Sequence, residues 1–390
     1  MRVVSLELTQ FRNYAALRFE PPEGACVLVG ANAQGKSNLL EALALLALGK
    51  SFRAVREGDL IRFDSPSALV AALVRTRAGD LNAVVSVTRS GDGARKRFAR
   101  NGRGVSYAHF LGGITAVTFV PADLALVTGP ANLRRRLLNA ALSQSVRGYY
   151  GDLAKYVNVI AQKNAFLKSP DAGDRALLAT YNAQVVEFGA RIVCARAAYV
   201  RRLAHEAALA HARWVGARDD FRVTYLPSPP QEDETPAAVA ACLETAVEAA
   251  APAEASRRVS LVGPHRDDIG LALGERLLSR YGSQGQQRTA VLALKAAEYA
   301  LMHAAAGEAP LLLLDDVLSE LDEDRRRSFL ASIAGFEQAF ITTTDASDVT
   351  PLLAGRIVEV RAGELVELGA GATRHELPGD VLEQRPSQAV

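Results

Sequence analysis

The sequence is poor in the residues from which metal sites and disulfide frameworks are built: its 390 residues include three cysteines and six histidines. Cys26, Cys194 and Cys242 lie far apart, with no C-x-x-C and no Cys/His pair at ligand spacing. Neither a zinc site nor a stapled scaffold is supported, and the thiols read as buried or half-buried. The histidines are equally scattered and offer no metal constellation. Long apolar runs are missing too. The best candidates are interrupted by Glu41, Lys295 and Glu298, short of the roughly 20 residues a membrane span needs. The N-terminal MRVVSLELTQF alternates like a strand and lacks the basic start, apolar core and cleavage site of a secretion signal. A cytoplasmic protein with no membrane partner is expected.

What is present is a globular composition, 49% hydrophobic and 23% charged, which excludes disordered and fibrous classes. The length allows two or three units of roughly 100 to 200 residues. The formal net charge is only +2, yet residues 121–225 hold 15 Lys plus Arg against 8 Asp plus Glu. A basic knot, Arg95-Lys96-Arg97, followed by Arg100 and Arg103, sits near a Gly-rich turn. Both are candidate polyanion surfaces, although a solvated helix face and a general preference for arginine, which supplies 38 of the 45 basic residues, would look the same.

Residues 3–8, 16–19 and 25–29 read as strands, and 36 to about 48 as a helix. The runs 67–77 and 81–89, separated by Ala78-Gly79-Asp80, predict an antiparallel meander. Residues 131–168 and 173–216, rich in Ala, Leu and Arg and joined by Ser169-Pro170-Asp171, predict a helical hairpin. Continuous helices of that length would span about 50 to 65 Å, so a projecting arm or separate helical domain is expected. A loop at Pro227-Ser228-Pro229-Pro230 and a short Ala-rich helix follow, then strands at 311–314 and 339–342 and a hairpin of 356–361 with 365–368. The pattern is α/β: residues 1–120 plus 251–390 form one domain, and 121–250 an inserted helical domain.

Gly30-Ala31-Asn32-Ala33-Gln34-Gly35-Lys36-Ser37 fits G-x-x-x-x-G-K-[ST] between an apolar strand and a helix, the context that motif demands. Gly30 and Gly35 let backbone N–H groups curl around phosphate, with Asn32 and Asn38 flanking. Lys36 meets the β/γ oxygens of ATP, and the Ser37 hydroxyl joins a Mg²⁺ shell. Leu311-Leu312-Leu313-Leu314-Asp315-Asp316 supplies the apolar strand ending in carboxylates. Asp315 is expected on Mg²⁺ and Asp316 as the catalytic base or water-positioning group, with Lys36 as its catalytic partner.

Tyr281-Gly282-Ser283-Gln284-Gly285-Gln286-Gln287 leads into a helix upstream of that strand, and its S-x-G-Q resembles the signature motif of ABC-type ATPases. There the serine, glycine and helix N-terminus of one subunit grip the γ-phosphate held by the other subunit. The resemblance makes Ser283, Gly285 and Gln286 nucleotide-binding residues and implies an ABC-type head with an inserted, coiled-coil-like helical hairpin. Ser319-Glu320-Leu321-Asp322 resembles the D-loop, and Ile341-Thr342-Thr343-Thr344-Asp345 ends the strand where a switch residue is expected. Two departures stand out. Thr344 and Asp345 replace the common switch histidine, and Asp316 replaces the common glutamate; being a methylene shorter, it implies slow hydrolysis. No Q-loop glutamine is evident, and Phe119-Val120-Pro121-Ala122-Asp123 occupies its region.

Further segments resemble the RecF family, bacterial recombination-mediator ATPases related to SMC proteins: Phe11-Arg12-Asn13-Tyr14, Gly49-Lys50-Ser51-Phe52-Arg53, Arg134-Arg135-Arg136, Val262-Gly263-Pro264-His265-Arg266-Asp267-Asp268 and Ser283-Gln284-Gly285-Gln286-Gln287-Arg288-Thr289. The resemblance implies recombinational repair, an ATP-dependent homodimer that clamps duplex DNA near single-strand/double-strand gap junctions, and partnership with RecR and RecO in loading RecA. Arg95, Lys96, Arg97, Arg134 and Arg135 are candidate DNA contacts. The glycine-proline segment reads equally as a tight turn, Arg12 as a surface ion pair and Tyr14 as a core residue. A transporter ATPase subunit shares the three ATP motifs but not the 246 residues between Lys36 and Ser283. An SMC-like chromosome-organising protein would need a hinge and hundreds of coiled-coil residues.

Overall fold

The computed structural model describes residues 1–169, 174–215, 220–318, 321, 323–332, 336–345 and 355–368. The early alternating runs pair into an antiparallel sheet of β1 (Arg2–Phe11), β2 (Tyr14–Phe19), β4 (Ser67–Thr76), β5 (Gly79–Ser90), β6 (Gly93–Arg100) and β7 (Arg103–Val105), in the order β2-β1-β4-β5-β6-β7. The apolar runs build a second sheet from β3 (Gly24–Val29), β8 (Ala116–Phe119), β12 (Leu311–Asp315), β13 (Gln338–Thr343), β14 (Gly355–Arg361) and β15 (Glu364–Leu368). Its order is β15-β14-β3-β13-β12-β8, parallel except for β15 at the edge. A small antiparallel sheet joins β9 (Phe221–Leu226), β10 (Asp268–Leu273) and β11 (Arg276–Leu277).

The parallel strands are apolar on both faces because both are covered. Cys26, Leu28, Leu311, Leu313 and Phe340 pack toward α1 (Lys36–Leu48) and the antiparallel sheet. Val27, Leu312, Leu314 and Ile341 pack toward a helical layer. Enclosed between two sheets, α1 is buried nearly all round, as its run of Leu and Ala requires.

The remaining helices are α2 (Tyr107–Phe110), α3 (Ala125–Thr128), α4 (Ala131–Ser145), α5 (Tyr149–Phe166), α6 (Arg175–Val215), α7 (Pro236–Arg257), α8 (Leu278–Tyr281), α9 (Gln284–Ala306) and α10 (Glu323–Ser332). Three expectations need correction. The first arm of the hairpin breaks at residues 146–148, where Gly148 at φ 88° caps α5. The second arm is one helix of 41 residues, about 60 Å long, but it does not project freely. Ile192, Leu203 and Ala207 share an apolar cluster with Val291, Leu294 and Leu301 of α9 and with β12; its first turns, residues 175–184, contain no buried residue. The Ala-rich helix α7 also runs to 22 residues, longer than expected.

The glycine-proline segment resolves as a structural clamp. Gly263 sits at φ 125°, and a Cβ there would lie 2.3 Å from the Tyr156 hydroxyl, which itself bonds His265 Nδ1 at 2.6 Å. Asp267, fully buried, accepts from Arg196 of α6 at 2.8 Å, from the Ser228 N–H at 2.9 Å and from the Tyr225 hydroxyl. The segment thus ties α5 and α6 to the small sheet.

Candidate nucleotide site

The carboxyl ends of adjacent parallel strands are where an open α/β sheet binds ligands, and here β3, β13 and β12 lie side by side. Between β3 and α1 the glycine loop makes two close approaches. A Cβ on Gly30 would lie 2.4 Å from the Val360 carbonyl oxygen of β14. Gly35, at φ 116°, would press one against the Asn13 side chain at 2.6 Å and the Tyr14 hydroxyl at 3.0 Å. Those neighbours hold the loop: Tyr14 donates to the Gly35 carbonyl at 3.0 Å and Asn13 Nδ2 to that of Gln34 at 3.0 Å. Tyr14 is therefore a core residue with a hydroxyl on the loop. Lys36 Nζ donates to the Gly30 and Ala31 carbonyls at 2.6 and 2.9 Å. Burial draws its ammonium below the usual lysine range, against the pull of Asp316 and then Asp315.

Opposite the loop, Thr342 joins the two carboxylate residues. Its hydroxyl donates to Asp315 Oδ1 at 2.9 Å and accepts the Asp316 N–H at 2.9 Å. Register accounts for this, because Asp315 pairs with Thr342 across β12 and β13. Asp316 takes a left-handed φ of 54°, a conformation aspartate tolerates better than most residues. A cavity of about 120 Å³ is lined by Asn32, Gly35, Lys36, Ser37, Asn38, Arg53, Asp316 and Thr342, among others. Gly30 and Asp315 stand behind this lining. Of the expected switch segment it is Thr342, not Thr344 or Asp345, that reaches the cavity.

A buried carboxylate within α1 was not among the expected site residues. Glu41, with no exposure, receives Arg12 through two bonds of 2.8 and 2.7 Å, the Ser51 hydroxyl, and Arg53 at 3.4 Å. Arg12 is thus held in an ion pair at the site's edge, and Arg53, which also donates to Asn38, lines the cavity.

Ser283, Gly285 and Gln286 do not line that cavity. Ser283 is the N-cap of α9: its Oγ accepts the Gln286 N–H at 3.2 Å while Gln286 Oε1 accepts the Ser283 N–H at 2.9 Å. This reciprocal cap leaves the helix N-terminus exposed and ordered. Asp123 pairs with Lys295 at 3.7 Å rather than joining the P-loop. Of the expected D-loop, Ser319, Glu320 and Asp322 lie outside the described residues.

Three of the candidate DNA contacts are turned inward. Arg134 is bound to Asp268 through two bonds of 2.6 and 2.8 Å, and Arg135 donates to the Asp267 carbonyl at 2.6 Å. On β6 the two-residue alternation of a strand splits the basic knot. Lys96, opposite buried Val87, turns inward to Glu57 at 2.7 Å, whereas Arg95 and Arg97 are exposed.

The fold and the site define an ABC-type P-loop ATPase head with inserted helices. The RecF/RecN/SMC N terminal domain model matches residues 2–362. The DNA replication and repair protein RecF of Symbiobacterium thermophilum is 41% identical over 355 residues, covering 90% of this chain and 93% of that protein. The chain belongs to the RecF family. Among solved structures, the recombination mediator protein RecF with ATP is similar at TM-score 0.86 and 30% identity, over 94% of this chain and 97% of that one. An Smc head domain from Pyrococcus yayanosii, at TM-score 0.55 and 14% identity over 95% and 97% of the chains, shares the fold. Among the described residues no helix is long and apolar enough to cross a membrane.

Proposed function

We propose that this chain binds and slowly hydrolyses ATP, and that ATP holds two copies together on DNA during recombinational repair in the cytoplasm. The observation that carries the reading is the cavity shared by Gly35, Lys36, Ser37, Asp316 and Thr342 at the carboxyl ends of parallel strands. There the loop N–H groups and the α1 N-terminus receive the phosphates, and Lys36 moves from its carbonyl tethers to the β/γ oxygens. An open groove of about 1160 Å³, running from Asn38 past Arg12 to Ile61 and Phe63, has room for the nucleoside. Ser37 and Asp315 offer hard oxygen donors suited to Mg²⁺; Asp315 receives a single hydrogen bond, on Oδ1, among the described residues. When bound, Mg²⁺ offsets phosphate charge. Asp316 orients the attacking water and takes its proton as the water oxygen bonds the γ-phosphorus and the bond to the leaving ADP oxygen breaks.

Arg95 and Arg97, exposed side by side on β6, support a contact to duplex phosphates, near gap junctions where RecR and RecO would assist RecA loading. The test is nucleotide titration combined with duplex binding. Lys36→Ala is expected to abolish tight ATP binding, since it removes the cation at the β/γ-phosphates. ATP-dependent duplex affinity is expected to fall steeply with salt, and Arg95→Ala with Arg97→Ala to flatten that slope by about 1.8, at about 0.9 per phosphate contact. Unchanged ATP affinity in Lys36→Ala removes the nucleotide reading, and an unchanged salt slope removes the β6 contact.

A further inference from the structure

Two basic runs remote in sequence meet at one place. Lys96 of β6 and Arg136 of α4 converge on Lys50, just beyond α1: burial and then these two cations draw the Lys50 ammonium below the usual lysine range, with Glu57 opposing. Glu57 is committed to Lys96. Lys50 and Arg136 are exposed, and among the described residues neither has a carboxylate partner in an ion pair. Both line a cleft of about 520 Å³ between the segment following α1 and helices α4 and α5. Tyr107 and Tyr150 line it as well, their rings edge to face at 4.7 Å and 83°. Burial raises both phenols above their usual range, so they stay neutral. The buried part of the lining carries Lys295 between Asp123 and Glu298. Unpaired positive charge therefore lies at the exposed rim, where the one lining carboxylate, Glu57, is taken by Lys96, and Asp123 and Glu298 lie deeper beside Lys295.

We propose that this cleft takes single-stranded DNA, with the sugar-phosphate chain passing between Lys50 and Arg136 and a base entering beside Tyr107 and Tyr150. Unpaired cations beside aromatic rings are the two components of a single-strand site. The deep carboxylates keep the phosphates at the rim. A duplex, whose major groove alone is about 12 Å wide, does not enter a space of 520 Å³, whereas a nucleotide or two of one strand does. The inference rests on the DNA reading above and assigns its single-stranded arm a place separate from Arg95 and Arg97. The same segment carries Arg53 into the phosphate cavity, so strand and nucleotide sit on two sides of one loop.

Fluorescence anisotropy with labelled oligo-dT and with a blunt duplex tests it, using the wild-type chain and a Lys50→Ala/Arg136→Ala variant. These exposed positions leave the packing intact. Oligo-dT affinity is expected to drop at least about tenfold and its salt slope to become shallower by about 1.4, at about 0.7 per lost phosphate contact. Duplex affinity is expected to stay within about twofold, since its contacts lie on β6. Unchanged oligo-dT binding in the variant overturns the proposal while leaving the duplex reading intact. Displacement of oligo-dT by polyglutamate of equal charge overturns it in favour of an acidic protein segment. Failure of the wild-type chain to bind either DNA removes the DNA reading and this inference together.

Discussion

At the scale of single residues, one hydroxyl organises the acidic half of the site. Thr342 donates to Asp315 and accepts from the Asp316 backbone, fixing with one group the carboxylate proposed for the metal and the one proposed for the water. Thr342→Val keeps the shape and removes both bonds, leaving a buried oxygen without its donor and an N–H without its acceptor. The expected cost is about 2 kcal/mol of stability, read by denaturant unfolding, with a parallel loss of ATP turnover. Asp316→Asn separates the roles differently. ATP binding is expected to persist while turnover falls about 10² to 10⁴-fold, the usual range for a removed general base, and single-turnover kinetics decides it. Equal turnover would reassign the water to another group. Asp315 and Asp316 were legible as residue types after an apolar strand. Thr342 was not, because its place depends on the register between β12 and β13, two strands separated by a helix.

At the scale of elements, period and punctuation carried the local reading. The helix expected from Lys36 to about Leu48 has those bounds, and the early strands appear where alternation put them. What escaped was whatever depends on a partner. Arg134 opens α4, where cations oppose the helix dipole, and its reason is Asp268, 134 residues away. Likewise α6 reads as an arm, since an amphipathic stripe does not reveal what covers it, and α9 covers it here. The phosphate loop depends on such a contact at Gly30, where β14 passes close behind. Gly30→Ala is expected to push the loop from β14, costing about 1 to 3 kcal/mol as overpacking does and weakening ATP binding. A thermal melt and a nucleotide titration measure the two effects; a variant as stable and as tight as the wild type would mean that β14 yields freely.

At the scale of the whole molecule, the residues proposed to hold the nucleotide lie in two places that a single chain does not join. Helix α9 is packed into the same apolar cluster as β12, yet its ordered N-terminus at Ser283 and Gly285 stays outside the cavity lined by Lys36 and Asp316. A hydroxyl, a Cβ-free backbone and the positive end of a 23-residue helix are the components of an anion site. In the two-fold dimer proposed above, each copy presents its α9 terminus to the γ-phosphate held by the other. Any ligand bound more tightly by the dimer than by the monomer drives association by mass action. ATP is therefore expected to promote dimers and ADP, lacking the γ-phosphate, not to do so. Ser283→Arg places a bulky side chain in that interface and leaves the Lys36 side untouched. It is expected to bind ATP with near-normal affinity, to remain monomeric and to hydrolyse slowly. Sedimentation velocity at saturating ATP and Mg²⁺ reads the association state directly. A normal ATP-dependent dimer in this variant would sink the arrangement in trans, whereas loss of the dimer with ATP affinity intact separates interface from binding site.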